Sequence, residues 1–135
     1  AGLEVDSALV RHGEMSEARG LVTTVEMFRI DGLRPTAVVC SDVRLAKGVY
    51  AALEALGLSI PGDVSVIAHD DHLPQLRASA FFPALSVTKA PLRDSWEPLV
   101  DCLNGLLDGA PLADLQVVGG HELIIRNSTG PAPAE

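Results

Sequence analysis

Two uninterrupted apolar runs constrain the fold of this chain more than any other feature. Residues 36–40 and 64–68 are rich in β-branched side chains and carry no charge, a pattern typical of strands covered on both faces. Between them, residues 42–56 place apolar side chains at helical spacing, and Gly57 is suited to the left-handed position after a helix. Strand, helix and strand in this order predict parallel strands joined by a crossover helix. The expected fold class is therefore α/β.

The same periodicities predict the remaining elements. Ser16 is suited to cap a first helix, and residues 92–107 supply the apolar face of a last one. Pro98 either lies in the first turn of that last helix, behind Asp94 or Ser95 as the cap, or it kinks the helix. Short strands are expected at residues 9–10, 85–88, 115–118 and 122–125.

Composition and charge exclude several classes of protein. With 135 residues, 47% of them hydrophobic, the chain can bury a core and is not intrinsically disordered. Its net charge of -8 repels phosphate backbones, so this segment is not expected to contact DNA. No apolar run approaches the roughly 20 residues of a membrane span, and the first residues have neither the basic start nor the apolar stretch that is expected of a signal peptide. We expect a cytoplasmic location, no membrane contact, and reduced thiols at Cys40 and Cys102, which lack CxxC spacing.

Candidate functional residues follow the two apolar strands. In parallel sheets, ligands bind beyond the carboxyl ends of the strands. Ser41 and Asp42 follow the first strand, and residues 69–72, His-Asp-Asp-His, follow the second. Hydroxyl and carboxylate groups held there are suited to accept hydrogen bonds from a polyhydroxylated ligand. In the plainer interpretation, Ser41 or Asp42 only caps a helix, and the two aspartates only begin a turn.

Metal and enzyme chemistry have less support. His69 and His72 with two intervening carboxylates permit a metal site, but the spacing is weak and no second cluster completes it. The nucleophile-elbow, zinc-protease, phosphate-loop and dinucleotide-binding motifs are absent. We therefore expect a chain that is not an enzyme and needs no cofactor.

The apolar stripe of the last predicted helix, which begins near Trp96, has two interpretations. At helical spacing such a stripe is most often core, and an interaction face is the alternative. The short strands before it offer limited apolar surface to cover it.

Five segments taken together resemble one known family. They are residues 13–16, Gly-Glu-Met-Ser; 34–42, Arg-Pro-Thr-Ala-Val-Val-Cys-Ser-Asp; 57–71, from Gly-Leu-Ser-Ile-Pro-Gly-Asp to His-Asp-Asp; 83–88, Pro-Ala-Leu-Ser-Val-Thr; and 122–129, Glu-Leu-Ile-Ile-Arg-Asn-Ser-Thr. In this order they resemble the effector-binding domain of the lactose/galactose-repressor family of bacterial transcription regulators. Its fold is like that of type I periplasmic sugar-binding proteins.

This resemblance implies the C-terminal part of a longer regulator. Residues 1–88 would form the C-terminal lobe, 89–112 would cross over and contribute a helix to the other lobe, 113–129 would return as strands, and 130–135 would be a tail. Gly2 stands where a helix outside the chain would end. Operator DNA would be bound only through an N-terminal domain that is not in this chain.

The resemblance also implies ligand-binding positions. The effector would be a small polar molecule, and a carbohydrate is the expected class. Asp70 matches the acidic residue that receives sugar hydroxyls, and Asp42 falls where the family has a polar side chain, unless the register slips by one to Ser41. The other implied pocket residues are His69, Met15 and Leu92.

A homodimer is implied as well. Its candidate interface residues are Val49, Tyr50, Leu53, Phe81 and Phe82. The alternative function is transport, with the chain forming the C-terminal lobe of a periplasmic sugar-binding protein of the same fold.

Overall fold

The computed structural model describes residues 6–30, 34–70, 75–90 and 92–132. In these ranges the α-helices are α1 (Glu17–Phe28), α2 (Val43–Ala55) and α3 (Trp96–Leu107), and the strands are β1 (Ala37–Cys40), β2 (Ser65–Asp70), β3 (Ser86–Lys89) and β4 (Glu122–Ile124). Short 3₁₀ turns connect several of them. No helix in these ranges is long and apolar enough to cross a bilayer.

The strands form a single sheet in the order β1-β2-β3-β4 within the described residues. β1, β2 and β3 are parallel, with Val38 opposite Val66 and Ala68 opposite Val87. β4 is antiparallel to β3. The predicted α/β class and the parallel crossover through α2 are confirmed.

Local sequence explains where α1 and α2 begin. The Ser16 hydroxyl accepts a hydrogen bond from the Arg19 N–H at 3.2 Å, and the Asp42 carboxylate accepts one from the Leu45 N–H at 2.9 Å. Both side chains therefore satisfy a backbone donor that the first helical turn leaves unpaired.

The end of α2 has the predicted glycine signal. Gly57 has a φ of 72°, and its N–H donates to the Glu54 carbonyl at 3.0 Å. The Leu58 N–H donates to the Leu53 carbonyl at 2.9 Å. This pair of bonds is a Schellman motif, which terminates the helix.

The hydrophobic core lies between α2 and one face of the sheet. Alternate strand residues Cys40, Val66, Ala68 and Val87 point to this face and are buried. From α2, the core includes Val43, Ala46, Val49, Ala52 and Leu53. α1 packs against α2, where Gly20 and Gly48 let the two helices approach closely.

A buried hydroxyl network attaches the C-terminal segment to the sheet. The Ser128 hydroxyl accepts from the Ser86 N–H at 2.7 Å and donates to the Val66 carbonyl at 2.6 Å. The Ser86 hydroxyl in turn accepts from the Arg126 N–H at 2.8 Å. These bonds join residues forty or more positions apart in sequence and hold the C-terminal segment across β2 and β3.

Two predicted strands are wrong. Leu9 ends a 3₁₀ turn, Ser7–Leu9, and Val10 follows it, because the Asp6 carboxylate accepts a hydrogen bond from the Ala8 N–H and turns the chain. Residues 115–118 have no regular structure, and the Val118 side chain is almost fully exposed. Their apolar side chains lack a neighbouring strand among the described residues, so alternation by itself does not make a strand there.

α3 differs from the other helices because it buries none of its side chains. It begins at Trp96, so Pro98 lies in the first turn, where proline is tolerated, and the alternative of a kink is wrong. Trp96 is 68% exposed, and five further apolar side chains of the helix are also exposed, namely Leu99, Val100, Leu103, Leu106 and Leu107. The interpretation of this stripe as core of the described chain is wrong.

Candidate functional site

The candidate site lies at the carboxyl ends of β1 and β2. Cys40 at the end of β1 pairs with Ala68 of β2, so Ser41 leaves the sheet next to the point where β2 continues as His69 and Asp70. Ser41 is exposed directly after β1, and His69 and Asp70 are the half-buried last residues of β2. The parallel register thus brings together acceptors that are far apart in sequence.

Asp42 is held mainly by its own helix. Its side chain is nearly inaccessible, with the residue only 3% exposed, and its carboxylate accepts from the Leu45 N–H and from the Arg44 guanidinium. A carboxylate used in this way has little capacity left for a ligand. The geometry therefore agrees with the interpretation of Asp42 as a cap, and it leaves Ser41 as the accessible polar group after β1.

Asp70 and His69 have defined neighbours on β3. Asp70 lies opposite Lys89, and His69 lies opposite Thr88, in the parallel register of β2 and β3. The His69 Nδ1 atom and the Thr88 hydroxyl are 3.1 Å apart, which is hydrogen-bond distance. This contact orients the imidazole ring at the end of the sheet.

His121 joins this group, although the sequence did not predict it as a site residue. Its ring lies 5.6 Å from that of His69, centroid to centroid. β4 runs antiparallel to β3 and begins at Glu122 opposite Lys89, which in turn lies opposite Asp70 at the end of β2. Lys89 also enters the group only through strand register. Neither residue stands in a motif, so no local signal could have found them.

Met15 and Leu92, the remaining implied pocket residues, lie at or just before the start of helical elements. Met15 is half-exposed and immediately precedes Ser16, the cap of α1. Leu92 begins the 3₁₀ turn that leads into α3, and its side chain lies outside the described part of the structure.

Asp71 and His72 fall outside the described residues, so the metal interpretation, which needs His72, is not tested. Among the described residues, no three ligating side chains group closely enough to hold a metal ion.

The two cysteines are free thiols, as expected. Cys40 is buried behind the end of β1, and burial, with a smaller contribution from the nearby Asp42 carboxylate, raises the pKa of its thiol to about 12. A thiol with that pKa remains protonated at neutral pH and is a poor nucleophile. Cys102 is half-buried, and its thiol donates to the Leu115 carbonyl.

The predicted interface residues separate into two groups. Val49 and Leu53 are 4% and 0% exposed and belong to the core of the chain, so their side chains are not accessible to a partner. Tyr50, Phe81 and Phe82, which we call the aromatic patch, lie at the surface. Tyr50 donates a hydrogen bond to the Pro83 carbonyl at 2.9 Å and meets Phe81 edge-on at 5.0 Å, while Phe82 is 96% exposed.

Comparison with known proteins identifies the family. The sequence profile of the periplasmic binding protein-like domain matches residues 1–129. The transcriptional regulator AglR of Rhizobium meliloti is 39% identical over 133 residues, which is 98% of this chain and 37% of that protein. The chain belongs to the periplasmic-binding-protein-like domain family, within its lactose/galactose-repressor group of transcription regulators.

Solved structures agree with this assignment. A sugar-binding transcriptional regulator of the lactose-repressor family from Escherichia coli superposes with a TM-score of 0.75 at 30% identity, over 98% of this chain and 45% of that one. The dimeric lactose repressor superposes with a TM-score of 0.65 at 29% identity, over 87% of this chain and 41% of that one. The chain therefore spans less than half the length of these relatives. The type I periplasmic-binding-protein-like fold is confirmed, and relatives named as regulators support the expectation that the chain is not an enzyme.

Proposed function

We propose that this chain is the effector-binding and dimerising part of a transcription regulator, and that its effector is a carbohydrate. The observation that carries the proposal is the convergence of Ser41, His69 and Asp70 at the carboxyl edge of a parallel sheet. A hydroxyl, an imidazole and a carboxylate on rigid strand ends can hold several hydroxyl groups of one ligand. The name of the Escherichia coli neighbour, a sugar-binding regulator, supports the ligand class.

The chain supplies only part of the proposed mechanism. The apolar face of α3 is uncovered, and we propose that residues 89–112 pack on a second lobe of the longer protein, with residues 113–129 returning to the first. An effector held between the two lobes would favour their closed arrangement. Closure would then change the spacing of DNA-binding segments outside these residues. The effector site and the DNA-binding segments would thus be coupled through the equilibrium between open and closed lobes.

Location and DNA contact follow from the same proposal. A regulator acts where the chromosome is, so the longer protein would lie in the cytoplasm. The net charge of -8 on this segment is unfavourable for DNA, so operator binding is assigned to the remainder of the protein. The relatives are named as regulators rather than transport proteins, which favours this function over the periplasmic alternative.

The test is carbohydrate binding by the longer protein. Calorimetry against a panel of mono- and disaccharides should identify a ligand for the unmodified protein. Asp70→Asn should weaken its affinity about ten- to a hundred-fold, because a charged acceptor becomes a neutral one. The control is Asp63→Asn, which changes an exposed turn before β2, at the opposite end of the sheet from Asp70. Equal affinity of the Asp70 variant and the unmodified protein would exclude this site.

Dimerisation has a separate test. The aromatic patch presents Phe82, a large apolar ring that is 96% exposed next to Phe81 and Tyr50, and contiguous exposed apolar surface marks interaction sites. Phe82→Ser should shift the longer protein from dimer toward monomer in sedimentation velocity, since the side chain makes little contact within its own chain. Phe28→Ser is not a suitable comparison because Phe28 packs against the core. Val22→Ser, at an exposed apolar position of α1 outside the aromatic patch, is the matched control and should leave the dimer intact.

A further inference from the structure

Two imidazole rings, those of His69 and His121, converge across β3. β2 and β4 both pair with β3, and Thr88 of β3 lies opposite His69 on one side and Leu123 on the other. Two strands with a third between them lie about 10 Å apart. The ring centroids of His69 and His121 are only 5.6 Å apart, so the two side chains lean toward each other.

The ring geometry is close to that of two histidines on one metal ion. An imidazole nitrogen binds zinc at about 2.1 Å and lies about 1.1 Å from its ring centre, so two imidazoles on a tetrahedral ion have centres about 5.2 Å apart. The observed 5.6 Å is larger by about 0.4 Å, which a small side-chain rotation supplies. The plainer interpretation is an aromatic contact, and the angle of 53° between the rings is neither parallel nor perpendicular.

Thr88 determines which nitrogen of His69 is available. The Nδ1 atom of His69 lies 3.1 Å from the Thr88 hydroxyl oxygen. Histidines that bind metals use one ring nitrogen for the ion and donate the N–H of the other to a nearby oxygen. Thr88 supplies such an oxygen, so Nε2 is the His69 atom left to bind an ion. The half-buried position of His69 in β2 also restrains its ring.

The surrounding charge favours a cation. Asp70 and Glu122 both lie opposite Lys89 in the strand register, so two carboxylates and one ammonium flank the histidine pair. The chain as a whole carries a net charge of -8. Both the local and the overall excess of negative charge raise the concentration of cations near the surface.

We propose that His69 and His121 form a binding site for one divalent transition-metal ion, with Zn²⁺ as the expected ion. Imidazole nitrogen is a preferred ligand of Zn²⁺, whereas Mg²⁺ and Ca²⁺ prefer oxygen. The structure groups no third ligating side chain with the pair among the residues it describes, so water would complete the coordination. The ion would connect the end of β2 to the start of β4 and hold the returning segment on the sheet.

The sequence offered a different partner for His69. His72 follows it after two carboxylates, whereas His121 reaches it only through the order of the strands. The inference goes beyond the proposed function, because it depends neither on the effector nor on DNA. Its tests contain no carbohydrate, so a failure of carbohydrate binding leaves their outcome unaffected.

Zinc titration of the 135-residue chain and of the longer protein tests the site. Calorimetry with zinc chloride should show one site of micromolar affinity in both. His121→Ala changes an exposed residue and should weaken this affinity about ten- to a hundred-fold, as should His69→Ala. Unchanged affinity in His121→Ala would overturn the proposal. Binding by the 135-residue chain that is lost in the longer protein would overturn it as well.

Two further histidines provide matched controls. His12 lines a cleft beside β1, at the other edge of the sheet from β4, and His12→Ala should leave the zinc affinity unchanged. His72→Ala should also leave it unchanged. A loss of binding in His72→Ala with full binding in His121→Ala would assign the ion to the pair that is adjacent in sequence and contradict the proposal.

Thr88→Val gives an independent readout of how the His69 ring is positioned. Valine keeps the shape of the side chain and removes the hydroxyl, so zinc affinity should fall about ten-fold. The unfolding midpoint without zinc should change little, and the rise that zinc produces in that midpoint should shrink. Equal zinc affinity in Thr88→Val and the unmodified chain would contradict the assignment of Nε2. Millimolar Mg²⁺ should not displace zinc, and displacement would place the ion on carboxylates instead.

Discussion

Gly48 of α2 lies directly against the backbone of Glu17 in α1. A Cβ atom built on Gly48 would come within 2.0 Å of the Glu17 carbonyl oxygen, and one built on Gly20 would come within 2.3 Å of the Leu45 carbonyl oxygen. The two helices therefore cross at a distance that only glycine permits at these positions. The crossing fixes α1 against α2, whose other side packs on the core face of the sheet.

The first prediction concerns this crossing. Gly48→Ala should lower the free energy of unfolding by about 1–3 kcal/mol, because the forced helix separation outweighs the roughly 1 kcal/mol by which alanine favours a helix. Chemical denaturation of the chain measures this difference. Gly119→Ala is the control, since a Cβ there would meet nothing within 4 Å. A Gly48 variant as stable as the Gly119 variant would show that the helices can move apart at no cost.

The second prediction concerns the buried hydroxyl of Ser128. Ser128→Ala removes the acceptor of the Ser86 N–H and the donor to the Val66 carbonyl, and it leaves two buried backbone groups unpaired. The expected loss is about 1–3 kcal/mol of stability, measured by thermal or urea unfolding. Ser95→Ala is the matched control because the Ser95 side chain makes no capping bond at α3. Comparable stability of the two variants would argue against the network.

The third prediction separates capping from ligand binding at Asp42. Asp42→Ala should destabilise the chain by about 1 kcal/mol, and Asp42→Ser should recover most of that loss, since serine also caps helices. In the longer protein, Asp42→Ser should leave carbohydrate affinity within a few-fold of the original value. A large loss of affinity with unchanged stability would instead make Asp42 a ligand-binding residue.

The fourth prediction concerns the thiols. Because burial raises the pKa of Cys40 to about 12, almost none of it is thiolate at pH 8. Iodoacetamide should therefore modify Cys102 well before Cys40 in the folded chain, with the order read by peptide mass spectrometry. In denaturant the two rates should become similar. Fast labelling of Cys40 under native conditions would mean that the end of β1 opens readily.

Much of the fold could be predicted from residue order. The β-branched runs of β1 and β2, the caps Ser16 and Asp42, and the glycine that ends α2 each act through neighbours within four residues, so the signal is local. The prediction failed at residues 115–118, where apolar alternation needs a pairing partner. Val49 and Leu53 belong to the apolar stripe of α2 and are buried in the core, so their assignment to a dimer interface, which the family resemblance implied, does not agree with their burial.

The sequence by itself determined the α/β class, the family and the strand ends at which function was to be sought, because those depend on local patterns. Only the tertiary structure decided which side chains meet there. Strand register brought His121 to His69 and Lys89 to Asp70, and helix capping withdrew Asp42 from the accessible surface. The physical reason is that register and burial are set by contacts between residues far apart in the chain, which no local pattern records.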